Sequence, residues 1–84
     1  MNLQNKVCLV TGGTKGIGGA AAVALAEQGG LVSIVARTID EEAKKTLGRL
    51  GPRAIAVAAD VAKPAELARA VDETVKKLGP VDVL

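Results

Sequence analysis

Three short apolar runs set the frame for this chain: Val7-Cys8-Leu9-Val10, Leu31-Val32-Ser33-Ile34-Val35 and Ala54-Ile55-Ala56-Val57-Ala58. Each is nearly continuous in hydrophobicity instead of alternating, which is how strands covered on both faces read. Strands buried on both sides need helices above and below, and the intervening segments carry helical patterns. A fourth run, Val81-Asp82-Val83-Leu84, follows Gly79-Pro80. The order is β-α-β-α-β-α-β with short connections. Such alternation implies right-handed crossovers and an α/β fold with a parallel sheet.

The helical segments differ in how sharply they are marked. In the first, Ile17, Ala21, Ala24 and Leu25 fall at helical spacing, and Gly29-Gly30 is placed as a C-terminal stop. In the second, Asp40 is the expected N-cap, Glu41 and Glu42 follow in the first turn, and Ala43, Leu47 and Leu50 form the apolar stripe. Gly51-Pro52 ends it. The third begins with Pro64 at the first turn and carries Leu67, Val71, Val75 and Leu78 before Gly79-Pro80. Neither Ala62 nor Lys63 offers a capping side chain to that helix.

Composition removes several classes of function. With 84 residues the chain is one domain, and with 49% apolar residues it has a folding composition. It contains no Phe, Trp or Tyr, so this chain offers no phenol acid or aromatic stacking platform. A single cysteine forbids an internal disulfide, and the absence of His argues against a zinc site. The net charge of +2 comes from interspersed signs with no long basic block, so no nucleic-acid footprint is expected. No apolar run approaches the ~18 residues of a membrane span. No basic leader precedes an apolar stretch at the N-terminus, so a cytoplasmic protein is expected. Cys8 lies mid-strand and reads as a packing residue.

The chemistry concentrates after the first strand, in Thr11-Gly12-Gly13-Thr14-Lys15-Gly16-Ile17-Gly18. A strand leading through glycines into a helix N-terminus exposes unpaired backbone N–H groups and the positive end of the helix dipole. Such a turn suits a pyrophosphate. The spacing G-x3-G-x-G is not a P-loop, because no Gly-Lys-Ser/Thr follows. Past the second strand, an enzyme using NAD usually places an acid that holds the ribose 2′-OH. Here the sequence reads Val35-Ala36-Arg37-Thr38, and Arg37 is suited to a 2′-phosphate. Lys15 offers a second positive charge, although both cations also read as solvated surface residues. Asp60-Val61 ends the third strand at the same sheet edge. Asp60 reads equally as an acceptor for an adenine amino group and as a helix-initiating aspartate.

These motifs together resemble the N-terminal part of a classical short-chain dehydrogenase/reductase of the NADP-preferring kind, similar to 3-oxoacyl-carrier-protein reductases. Thr11-Gly12-x3-Gly16-x-Gly18 matches the family's glycine motif, Lys15 with Arg37 its NADP-type pair, and Asp60-Val61 its adenine contact. Gly79-Pro80-Val81-Asp82-Val83-Leu84 resembles the approach to its fourth strand. The resemblance implies a partial Rossmann-type doubly wound sheet of order 3-2-1-4, with residues 1–84 as one dinucleotide-binding domain. It implies NADP(H) as cofactor, held by Gly12, Thr14, Lys15, Gly16, Ile17, Gly18, Arg37, Asp60 and Val61. The family's Asn-Asn-Ala-Gly stretch and its catalytic Asn, Ser and Tyr-x3-Lys have no counterpart here. The chain is therefore expected to resemble a reductase fragment without dehydrogenase activity of its own. A structural fragment that binds no nucleotide, or one half of a complementing reductase, are the alternative readings. The strand order also leads to the expectation that Val7, Leu9 or Val32 lies partly unprotected, and that two copies associate through their fourth strands.

Overall fold

The computed structural model describes residues 3–12 and 16–83, with the side chain of Ile17 left out. Three strands, β1 (Val7–Thr11), β2 (Leu31–Ala36) and β3 (Ile55–Ala58), alternate with α1 (Gly16–Glu27), α2 (Glu41–Leu50) and α3 (Pro64–Leu78). All pairings are parallel. In the β1–β2 ladder Val7 faces Leu31 and Thr11 faces Val35; in the β2–β3 ladder Ser33 faces Ile55 and Ala36 faces Ala58. β2 is thus central, and the sheet runs β1-β2-β3. This is the α/β, partial Rossmann architecture that the sequence implies, with strand ends within about one residue of the apolar runs.

The expected fourth strand is reduced to a single parallel bridge between Cys8 and Val83. Val83 C=O accepts from Leu9 N–H at 2.9 Å, and Val83 N–H donates to Val7 C=O at 3.0 Å. Since β2 holds the other edge of β1, Val83 lies where the order 3-2-1-4 puts it. Among the described residues the ladder does not extend back past Val83, because Asp82 takes the Val7 N–H. Its carboxylate, not a backbone carbonyl, accepts the Val7 N–H, with Oδ2 at 3.0 Å.

Strand alternation divides the core into two layers. On one face Leu9, Val35, Val57 and Ala59 pack beneath Ala70 and Val71 of α3. On the other, Cys8, Val32 and Ile34 pack against Ala22 and Leu25 of α1 and Leu47 and Leu50 of α2. The first two crossover helices therefore share one face and the third covers the other. Val7, Leu9 and Val32 are not unprotected: they are 3%, 1% and 1% exposed. α3 suffices to cover Leu9, α1 covers Val32, and the chain turn at Gly79 comes up against Val7. The large apolar side chains left exposed among the described residues are Val61 and Val75.

The helix ends follow their local chemistry. Asp40 caps α2 through its carboxylate, which accepts from Ala43 N–H at 2.9 Å. α1 stops in a Schellman arrangement: Gly30 N–H reaches Leu25 C=O, Gly29 N–H reaches Ala26 C=O, and Gly29 takes a φ of +90°. Lys63 stands at the N-cap of α3 without a side-chain hydrogen bond.

Two of the expected helix faces need correction. In α1, Ala21 and Ala24 are exposed and the core contact is made by Ala22, with Leu25 and Ala26. That helix is apolar all round, so spacing alone does not say which side faces inward. In α3, Val75 is 41% exposed, and the inward seam runs through Ala70 and Thr74. Thr74 is tolerated there because it is fully paired. It donates to Ala70 C=O at 2.8 Å and lies 2.9 Å from Ser33 Oγ. With its own proton given to Ala70, Thr74 must accept from Ser33, so the two buried hydroxyls join α3 to the central strand without an unpaired group.

Candidate functional site

The carboxyl ends of the three strands open into a cleft of about 500 Å3, lined by Gly12, Ala36, Arg37, Thr38, Asp40, Ala59, Asp60, Val61 and Ala62. This is the sheet edge where open α/β folds bind ligands, and the volume lies within the ~300–1,000 Å3 range of small-molecule sites. Parallel pairing makes the edge: all three strands end on one side, so each chain exit contributes to one wall.

Four of the expected site residues meet here: Gly12, Arg37, Asp60 and Val61. Gly12 turns the chain out of β1 at φ +67°, a conformation that favours glycine, and a Cβ there would stand in open space. Its N–H is already given to Val35 C=O at 2.9 Å, so it shapes the turn and leaves phosphate donation to others. Arg37 is exposed and makes no hydrogen bond or ion pair among the described residues. Val61 is 41% exposed at the cleft. Asp60 is half-buried and heavily bonded: Oδ1 accepts from Ala62 N–H at 3.0 Å, and its C=O accepts from Lys63 N–H at 3.0 Å.

Gly16 and Gly18 are not among the residues that line this cleft. Gly16 opens α1 at φ +61° and lines a neighbouring groove with Lys45 and Arg49 of α2. Gly18 is half-buried within α1, and Ile17 belongs to the same first turn. Thr14 and Lys15 lie outside the described residues. α1 also differs from its neighbours in charge. α2 has Glu41 and Glu42 in its first turn and α3 has Glu66, whereas α1 has no acid there. Its first turn therefore holds no acid of its own to offset the N–H groups and positive dipole end.

Five lining residues were not singled out from the sequence as site residues: Ala36, Thr38, Asp40, Ala59 and Ala62. Nothing in their types marks them, since they line the cleft by following the strand ends. Asp40 was legible only as a cap, and the structure uses its carboxylate as one.

Cys8 is fully buried, and its Sγ lies 3.7 Å from Lys6 C=O. Burial pushes its thiol pKa up, and the charge of Asp82 pushes it further, so the thiol stays protonated and unreactive at neutral pH. No group of metal-ligating side chains occurs among the described residues, and no helix there is long and apolar enough to cross a membrane.

Residues 6–84 match the family model described as short chain dehydrogenase. The chain is 38% identical over 87 residues to the short-chain dehydrogenase/reductase homolog YusS of Bacillus subtilis, covering all of this chain and 80% of that protein. It superimposes with a TM-score of 0.89 and 40% identity on a short chain dehydrogenase from Burkholderia cenocepacia in complex with NADP, covering 98% of this chain and 35% of the other. A 3-ketoacyl-(acyl-carrier-protein) reductase from Brucella melitensis complexed with NADH gives a TM-score of 0.88 and 40% identity, covering 96% and 33%. The chain spans about a third of the length of the first curated relatives it matches, at 30% and 34%. Sequence, sheet order and match together place this chain in the short-chain dehydrogenase family, in its N-terminal, strand-alternating region.

Proposed function

We propose that residues 1–84 act as one dinucleotide-binding unit that prefers NADP(H), without carbonyl reductase activity in this chain alone. The observation that carries this reading is the cleft at the strand ends, which an exposed Arg37, without a hydrogen bond or ion pair among the described residues, lines together with Asp60, Val61 and the turn at Gly12. The residues fit the cofactor. Space is left where a Cβ would stand at Gly12 and Gly16, and α1 begins without an acid of its own. Thr14, Lys15, Gly16, Ile17 and Gly18 would hold the pyrophosphate at the α1 N-terminus, with Gly12 shaping the turn that lets it approach. Arg37, with Lys15, would pair with the 2′-phosphate, which NAD lacks. Asp60 would accept from the adenine amino group and Val61 would lie against the ring. The Burkholderia and Brucella relatives, solved with NADP and NADH, support a nicotinamide dinucleotide.

The bound cofactor would supply a hydride for a carbonyl carbon. Reduction also needs a proton for the resulting alkoxide, and a chain without Tyr or His lacks the usual donors. Turnover therefore requires those groups from a polypeptide beyond these residues. Titrating NADPH and NADH into the chain tests the reading, with saturable and tighter binding of NADPH expected.

A second property is favoured by the side of β1 that faces away from β2. An apolar cleft of about 330 Å3 lies there, lined by Leu9, Val10, Thr11, Ala21, Leu25 and Val83. Beside it, Val83 is bridged on one side only among the described residues. Open strand edges flanked by apolar surface invite pairing. As an isolated 84-residue chain the protein is expected to dimerise through this edge, with two copies meeting at their Val83 segments. Light scattering at high micromolar concentration should give twice the chain mass, and a monomeric mass would overturn the proposal.

A further inference from the structure

α3 begins without a capping side chain, and its Glu66 is occupied elsewhere. In a capping box the third helical residue reaches back to the N–H of the N-cap. Here that N-cap is Lys63, yet Glu66 Oε1 accepts from the N–H of Asp60, three residues further back, at 2.8 Å. The last ladder bond of β3 is Ala59 N–H to Ala36 C=O, so Asp60 is the first residue past the sheet, where its N–H has no strand to donate to. Glu66 supplies the missing acceptor. Asp60 is thus held at three atoms: its N–H by Glu66, its C=O by Lys63 N–H and its Oδ1 by Ala62 N–H. One turn further along α3, the Arg69 guanidinium donates to Ala58 C=O and lies 3.9 Å from Glu73. Two side chains of one helix therefore grip the end of β3 from outside the cleft.

We infer that Glu66, which does not line the cleft, is a positioning residue for its Asp60–Ala62 wall, and that cofactor affinity depends on its acceptor oxygen and not on its charge. This rests on the dinucleotide reading given above. The alternative role for Glu66 is purely structural, as an acid in the first turn of α3 with Lys63 Nζ at 3.9 Å from Oε2. The two roles separate on the conservative variant. Glu66→Gln keeps an oxygen that can accept from Asp60 N–H but loses the charge, whereas Glu66→Ala loses both.

The experiment measures NADPH affinity by fluorescence and backbone amide exchange by NMR on the full chain and both variants. Glu66→Ala should weaken NADPH by up to about tenfold, in line with a lost hydrogen bond. It should also speed exchange of the Asp60 amide by at least about tenfold, while amides of the central strand such as Ile34 keep their protection. Glu66→Gln should restore both readouts to within about twofold of the unmodified chain. Unchanged NADPH affinity in Glu66→Ala overturns the positioning role, and so does a Glu66→Gln variant as impaired as the alanine one. Silence of the unmodified chain toward both nucleotides overturns the dinucleotide reading itself and this role with it.

Discussion

Arg37→Ala should weaken NADPH binding by roughly 5- to 150-fold and leave NADH nearly unchanged, which corresponds to about 1–3 kcal/mol for a charged hydrogen-bonded contact. The selectivity follows from what the two cofactors share. In the proposed arrangement both would present pyrophosphate to the glycine turn and adenine to Asp60, and only NADPH would bring a dianionic group to the end of β2. Arg37 is exposed and spends no hydrogen bond on the described residues, so its removal should cost the fold little. Exposure also lowers the expected effect toward the smaller end of the range, because water and salt screen the pair. Titrations of both nucleotides at fixed ionic strength decide the matter. Equal losses for NADPH and NADH would show that Arg37 shapes the cleft in general and does not read the 2′-phosphate.

Ile34→Ala should have the largest effect on stability. Ile34 is fully buried in the central strand, packed with Val32, Cys8 and Ala22 and roofed by Leu47 and Leu50. Removing its side chain forfeits burial and leaves a cavity that neighbours on three elements cannot all close, at a cost of about 2–5 kcal/mol. A domain of this size holds only ~5–10 kcal/mol in total. The urea midpoint, followed by far-UV circular dichroism because the chain has no aromatic reporter, should fall by at least about a fifth, and by half or more where the cost is at its upper end. Val75→Ala, at an exposed position of α3, should shift it little. Equal midpoints for the two variants would contradict the two-layer core described above.

The parts of this molecule that were legible in its sequence are those where a local rule and the tertiary fold agree. The three non-alternating runs became strands because burial on both faces leaves no polar position to show. Asp40 became a cap because its side chain needs only Ala43, three residues away. Legibility failed where the deciding contact is distant. Thr74 lies inside the α3 seam because Ser33, 41 positions earlier, donates to its hydroxyl. Val75 lies outside because the seam is centred on Ala70 and Thr74. α1 carried no usable stripe, since its exposed and buried positions are both small and apolar. At the cleft, Gly12, Arg37, Asp60 and Val61 were readable because glycine, charge and strand-end placement each mark a type of chemistry. The hold of Glu66 on Asp60 was not readable, because any surface helix can carry an acid in its first turn. Asp82 shows the same limit: as a residue type it suggests solvent, and the structure uses it to finish the edge of β1.

The account stands most directly on a fluorescence titration of NADPH against NADH with the unmodified chain. The absence of Trp and Tyr leaves almost no intrinsic emission to subtract. Saturable binding of both nucleotides with NADPH the tighter is the predicted result, and its margin should shrink as salt screens the 2′-phosphate contact. No binding of either nucleotide by a chain shown to be folded would contradict it, leaving the glycine turn and the Arg37 cleft without the role proposed for them.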